Sequence, residues 1–141
     1  MLRDAVDHIG VPPVDHPVKS AAQANVRAVL PDIESYNADN TVGAAVGTDP
    51  DASATDSGYQ GMTAALLKSK YDQAFPPAVW ITPAVDGTGT AMPAFTAAGA
   101  TAVPGATTYC VAAQNGNYYA WKLGPGGTIK VDTVKANVCA T

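Results

Sequence analysis

Residues 21–40 read AAQANVRAVLPDIESYNADN, and this stretch decides the fold. Val26, Val29, Leu30, Ile33 and Tyr36 recur at steps of three and four, the stripe of an amphipathic helix with one apolar face. Asn25, Arg27, Asp32, Glu34 and Ser35 fall largely on the other sides. The spacing predicts a helix from about Val18 or Lys19 to Asn37, running into a set of residues that favours turns. Pro31 sits inside it and removes one backbone hydrogen bond, which bends a helix at the preceding turn. The stripe passes Pro31 without a change of phase. One kinked helix is therefore expected, rather than a first helix ending at Leu30 and a second starting at Pro31. The stripe is expected to face a sheet, with Val26, Leu30 and Ile33 deeply buried.

Outward from this helix the chain changes character. Residues 38–58 are rich in Gly, Asp, Ser, Thr and Ala without a period, and read as a loop. Thr63 is placed to cap a short second helix, Ala64 to Lys70, whose Leu66 and Leu67 give it an apolar side. Lys68 and Lys70 favour its C-terminal end through the helix dipole. Residues 78–82 read as a strand bounded by prolines, and 84–105 as a long excursion. Strands follow at 107–113, 118–123 and 128–134, with an Asn-Gly hairpin signal at Asn115-Gly116 and a second turn at 124–127. The expected class is α+β. The N-terminal amphipathic helix lies on an antiparallel sheet of about four strands, one face of which packs on the helix.

At 141 residues the chain suits one domain. It is 47% hydrophobic and only 14% charged, against a usual quarter charged. Much of the surface must then be neutral and polar, which suits the extracellular world and packing between neighbours. The net charge of −4 and the lack of a Lys/Arg cluster leave nucleic acid binding without an electrostatic basis. Two cysteines, Cys110 and Cys139, lie in the C-terminal third. In an extracytoplasmic protein an even count reads as a disulfide; the alternative is a pair of buried thiols in a cytosolic one. No run of 18 apolar residues is present. Residues 1–18 are charged and proline-broken, unlike a secretory signal, and read as a flexible leader before a domain at 19–141.

The block ANVR…P…E.Y.ADN, at residues 24–40, is followed by a second, Tyr59-Gln60-Gly61-Met62-Thr63, then Leu66, Leu67 and Tyr71-Asp72. Together they resemble the globular part of type IV pilins and pseudopilins. The resemblance implies a structural subunit of an extracellular, cell-surface filament used for adhesion, motility or DNA uptake. It implies as partners other pilin subunits or a separate apolar spine helix, with a surface receptor or glycan as a further one. The alternatives are a pseudopilin of a type II secretion system and a free secreted carbohydrate- or ligand-binding module. The chain departs from the pattern at its start. Pilins carry a long apolar N-terminal half-helix with a glutamate near its beginning, and residues 1–18 do not match it. A soluble truncation with a foreign leader is the preferred explanation, ahead of a split gene whose spine is a separate peptide.

Little in the chain points to catalysis. There is no G-x-S-x-G elbow, H-E-x-x-H pair or P-loop, and no enzyme activity or cofactor is expected. Two Asp-His pairs, Asp7-His8 and Asp15-His16, offer zinc or copper ligands, but an unstructured leader holds no fixed geometry. Asp49, Asp51 and Asp56 are the candidates for a calcium site. Their spacing is not that of an EF-hand, and a solvated acidic loop is the preferred reading. Tyr109, Tyr118, Tyr119 and Trp121 lie on adjacent strands. Tyr109 with Tyr119 and Trp121 is expected to form a cross-strand cluster, as sheet core in preference to a stacking platform for sugars.

Overall fold

The computed structural model describes residues 15–45, 47–81, 85–91 and 104–140. The Asp7-His8 pair and most of the long excursion lie outside them, and of Asp15 and His16 only the helical backbone is described. The chain is α+β. Helix α1 (Asp15–Asp39) is followed by helix α2 (Ala64–Lys70) and strands β1 (Val79–Ile81), β2 (Val85–Asp86), β3 (Cys110–Asn115), β4 (Tyr118–Leu123) and β5 (Lys130–Asp132). A 3₁₀ turn at Lys135–Asn137 closes the described chain.

α1 is one continuous helix with Pro31 inside it. Pro31 is exposed, so the carbonyl it leaves without a helical partner faces water and its cost is small. The helix starts before the expected Val18, within the segment read as a leader. Pro17 falls in its first turn, where a missing N–H has no intrahelical partner to lose. It also ends later than Asn37. The Asn40 amide still donates to the Tyr36 carbonyl at 2.9 Å, because tertiary contacts hold the last turn against the local preference for a bend. α2 has the expected bounds, and the Leu66 amide donates to the Thr63 hydroxyl at 3.1 Å as its N-terminal cap.

The sheet has five antiparallel strands in the order β2-β1-β3-β4-β5. The fifth, unexpected strand is β2, two residues long, whose Asp86 carboxylate builds the turn that follows it. It accepts from the amide of Thr88 at 2.8 Å, the hydroxyl of Thr88 at 2.6 Å, the amide of Thr90 at 2.9 Å and the amide of Ala78 at 3.4 Å. Burial alone would raise the pKa of Asp86, but these bonds outweigh it and hold the carboxyl below its ordinary value. The β3–β4 hairpin turns one residue later than the Asn-Gly signal suggests. Asn115 pairs with Tyr118, so the turn residues are Gly116 and Asn117. Gly116 has φ +56° and Asn117 is not at positive φ, as a type II′ turn with glycine first requires.

α1 packs chiefly over β3 and β4. Ala22, Val26, Val29, Ile33 and Tyr36 have no exposed surface and join Val79, Ile81, Val111, Ala113 and Ala120 in one core with Tyr59, Met62, Leu67 and Phe75. Ala113 and Ala120 are direct cross-strand partners. Their small side chains let the helix lie close to the centre of the sheet. Leu30, expected among the deepest residues, is only partly buried. At 3.6 residues per turn, Val29 and Tyr36 point at the sheet and Leu30 at its margin.

The opposite face is covered as well. Trp80, Cys110, Ala112, Tyr119 and Trp121 form a second core with Val138 and Cys139. Cys110 and Cys139 are joined in a disulfide with Cα atoms 6.0 Å apart, which ties the C-terminal segment over this face. The expected aromatic cluster does not form. Tyr109 points to the helix side, 4.8 Å from Tyr59 between ring centroids, whereas Tyr119 and Trp121 lie on the other side.

Two measurements test this packing. Ile33→Ala is expected to cost about 2–5 kcal/mol in urea unfolding, and Leu30→Ala distinctly less, because only the first leaves a closed cavity. Replacing both cysteines by alanine should cost roughly 3–4 kcal/mol, given their separation of 29 residues. It should also shift tryptophan emission to the red as the second core loosens. Unchanged stability and emission would mean that the C-terminal segment holds its place without the bond.

Candidate cation site

The end of α1 and the acidic loop form one bonded unit. Tyr36 and Asn40 are one turn apart and both buried. The Tyr36 hydroxyl donates to the Gln60 carbonyl at 2.6 Å, and Asn40 Nδ2 donates to the carbonyls of Gly58 and Gln60 at 3.1 and 3.0 Å. The Gly58 amide returns a bond to the Asn40 carbonyl at 2.9 Å. The chain leaves the helix at Asn40 and comes back to it at Gly58, so the loop is closed at its base. The sequence reading placed Asn40 in a turn. Its position four residues after Tyr36 was the signal that it shares the buried face.

Inside the loop, Asp49, Asp51 and Asp56 converge. One carboxylate oxygen from each lies within 4.8 Å of the others. Asp49 is 5% exposed; Asp51 and Asp56 are half-buried. Asp49 Oδ1 accepts from the Asp51 amide at 3.2 Å, and Asp51 Oδ1 from the Ser53 amide at 3.1 Å. Asp49 Oδ2 and Asp56 Oδ1 are buried and have no hydrogen-bond partner, as has Asn40 Oδ1. Gly61 marks how closely the returning chain approaches. It has φ +74°, and a Cβ there would fall 2.0 Å from Asp51 Oδ2 and 3.1 Å from the Tyr36 hydroxyl oxygen. Burial, and then the charges of Asp51, Asp56 and Asp49, hold the Tyr36 hydroxyl far above its ordinary pKa. A cavity of about 110 Å³ beside Asp49 is lined by Ala44, Gly47, Ala52 and Ala54.

Two other polar groupings were not read from the sequence. Glu34 on α1 accepts from the Tyr59 hydroxyl at 3.0 and 2.9 Å. Behind it, Lys122 is 9% exposed. Its Nζ donates to the Tyr109 hydroxyl at 3.4 Å and to the carbonyls of Gly124 and Pro125 at 2.5 and 2.9 Å. Burial lowers its pKa, against the pull of Glu34 in the other direction. The ammonium holds the β4–β5 turn. The second is a pair of carboxyls, Asp32 on α1 and Asp72 just after α2. Burial, then the Asp72 charge and a hydrogen bond with it, push Asp32 up to about 6. Neither carboxyl lines the clefts around the acidic loop or beside β5.

Of the sequence candidates, the loop aspartates are brought together. Of the aromatic candidates, Tyr109 lies apart from Tyr119 and Trp121, and these two, at most 4% exposed, offer no open platform. No helix among the described residues is long and apolar enough to cross a membrane. Protein-family models, curated proteins and solved structures give no match to this chain. The pilin resemblance thus rests on the blocks at residues 24–40 and 59–72.

The Asp32–Asp72 pair predicts a pH dependence with a definite sign. The folded pKa of Asp32 lies above its unfolded value, so folding takes up a proton between about pH 4 and 6. Stability from this group is present at low pH and is lost as pH rises through about 6. Asp32→Asn should raise the melting temperature at pH 7 and make little difference at pH 4. An equal effect at both would remove the coupling.

Proposed function

We propose that this chain is a structural subunit of a type IV pilus-like filament on the cell surface. The observation that carries the reading is the seat of α1. An N-terminal helix lies over the middle strands of an antiparallel sheet, and its first residues reach the tip of the β3–β4 hairpin. Val18 marks the exit, since a Cβ on Gly116 would fall 2.9 Å from its Cγ1. Pro17, Lys19 and Ser20, on either side of this exit, are exposed. A helix so placed presents its N-terminal end for continuation into a spine, while the sheet and its disulfide form a head. The low charge content and neutral surface suit close packing of such heads. The covered aromatics weigh against a sugar-stacking module, and adhesion, motility and secretion are not separated by these features.

Filaments of this kind are held by apolar helices in a central bundle, where each large buried side chain contributes on the order of 1–3 kcal/mol. The heads alone supply weak lateral contacts that matter only when many are summed. The 141-residue chain is therefore expected to be monomeric in light scattering. Grafting an apolar helix of about 20 residues in register upstream of Asp15, in cells carrying a pilus assembly system, should give ordered filaments by electron microscopy. Filaments from the ungrafted chain, or none from the graft, would overturn the proposal.

A further inference from the structure

Among the described residues two aspartates are deeply buried, and they are treated very differently. Asp86 is 4% exposed and receives four hydrogen bonds, shared over both carboxylate oxygens. Asp49 is 5% exposed and receives one, on Oδ1; its Oδ2 is buried with no donor. A buried ionised carboxylate without compensation is costly. Here the cost is compounded, because the oxygens of Asp51 and Asp56 lie within 4.8 Å and like charges at that range repel. Among the described residues these three carboxylates take hydrogen bonds from the amides of Asp51 and Ser53, with the neutral Tyr36 hydroxyl also close to Asp51, and none from a Lys or Arg side chain. Lys70 shares with Asp49 only the wall of a wide cleft. A cation held between the three carboxylates would offset this repulsion.

We infer that Asp49, Asp51 and Asp56 bind one calcium ion, which locks the loop between α1 and α2. The donor set is oxygen only, which selects a hard cation over zinc or copper. Oxygens around Ca²⁺ at 2.3–2.6 Å span up to about 5 Å across the ion, and the three here lie within 4.8 Å of one another, inside that span. An irregular loop also suits the adaptable coordination of calcium better than the strict octahedron of magnesium. Asp49 Oδ2 and Asp56 Oδ1 are buried without donors and so are free to take a ligand. Gly61 keeps the returning chain from displacing the Asp51 carboxylate. The site stands on these residues alone and does not depend on filament formation.

The test is calorimetric titration of the chelator-treated chain with calcium, together with thermal unfolding. A single equivalent of calcium should bind. At a hundredfold excess over Kd the melting temperature should rise by roughly 5 °C or more, and magnesium at the same concentration should do much less. Terbium should bind competitively, with emission excited through Tyr36. Asp49→Asn should weaken binding at least roughly tenfold, since it removes a charged ligand. Asp56→Asn, at the half-exposed rim, should do likewise with the fold intact, and Asp72→Asn should leave binding unchanged. The inference is overturned if calcium does not move the wild-type melting temperature and Asp49→Asn is the more stable protein with and without calcium. Binding that survives in both Asp49→Asn and Asp56→Asn overturns it equally.

Discussion

The close seat of α1 on β3 and β4 is the constraint from which the rest of the molecule follows. A helix can approach a sheet this closely only where the sheet offers small side chains, and the Ala113–Ala120 pair supplies them. Val26, Val29 and Ile33 then fill the space on either side. The position of the helix fixes where Tyr36 and Asn40 stand, and these two residues fix where the acidic loop begins and ends. Glu34, one turn from the sheet centre, meets Tyr59 for the same reason. Local geometry at the loop is thus inherited from a packing contact a full helix turn away.

The central strands β1, β3 and β4 are buried on both faces, which is uncommon for a short antiparallel sheet. Its first face is closed by a helix. Its second is closed by a short, largely irregular segment that owes its place to a covalent bond. The two covers differ in kind. The helix holds by burying a continuous stripe, whereas residues 133–140 contribute little more than Val138 and Cys139 to the core they cover. A bond that restricts the unfolded chain compensates for that thin cover.

The elements with a strong period were legible in the sequence: α1, α2 with its Thr63 cap, and β4 to the residue. The misses have physical causes. Leu30 belongs to the apolar stripe by spacing, but a stripe does not reveal where its centre falls against the partner surface. The hairpin slipped by one residue because Asn115-Gly116 and Gly116-Asn117 are both good turn pairs, and pairing of Asn115 with Tyr118 decides between them. β2 has no sequence period at two residues; Asp86 and two threonines create it by hydrogen bonds. Alternation does not say which of two faces an aromatic takes, so Tyr109 was grouped with Tyr119 and Trp121. The three loop aspartates were named from composition, but their convergence and the missing donors depend on tertiary closure at Asn40 and Gly58.

That closure has a consequence for how freely this surface can change. The base of the loop is clasped by reciprocal bonds between Asn40 and Gly58, so the path between them begins and ends at one point in space. Lengthening a loop whose ends are already held together costs little; each doubling adds only about 0.6 kcal/mol. Apart from the three aspartates, residues 41–57 can therefore vary in length and composition while the helix, sheet and second core remain as they are. The clasp separates the part of the molecule that must be conserved to fold from the part that is free to diversify, and it places the border between them at one asparagine and one glycine.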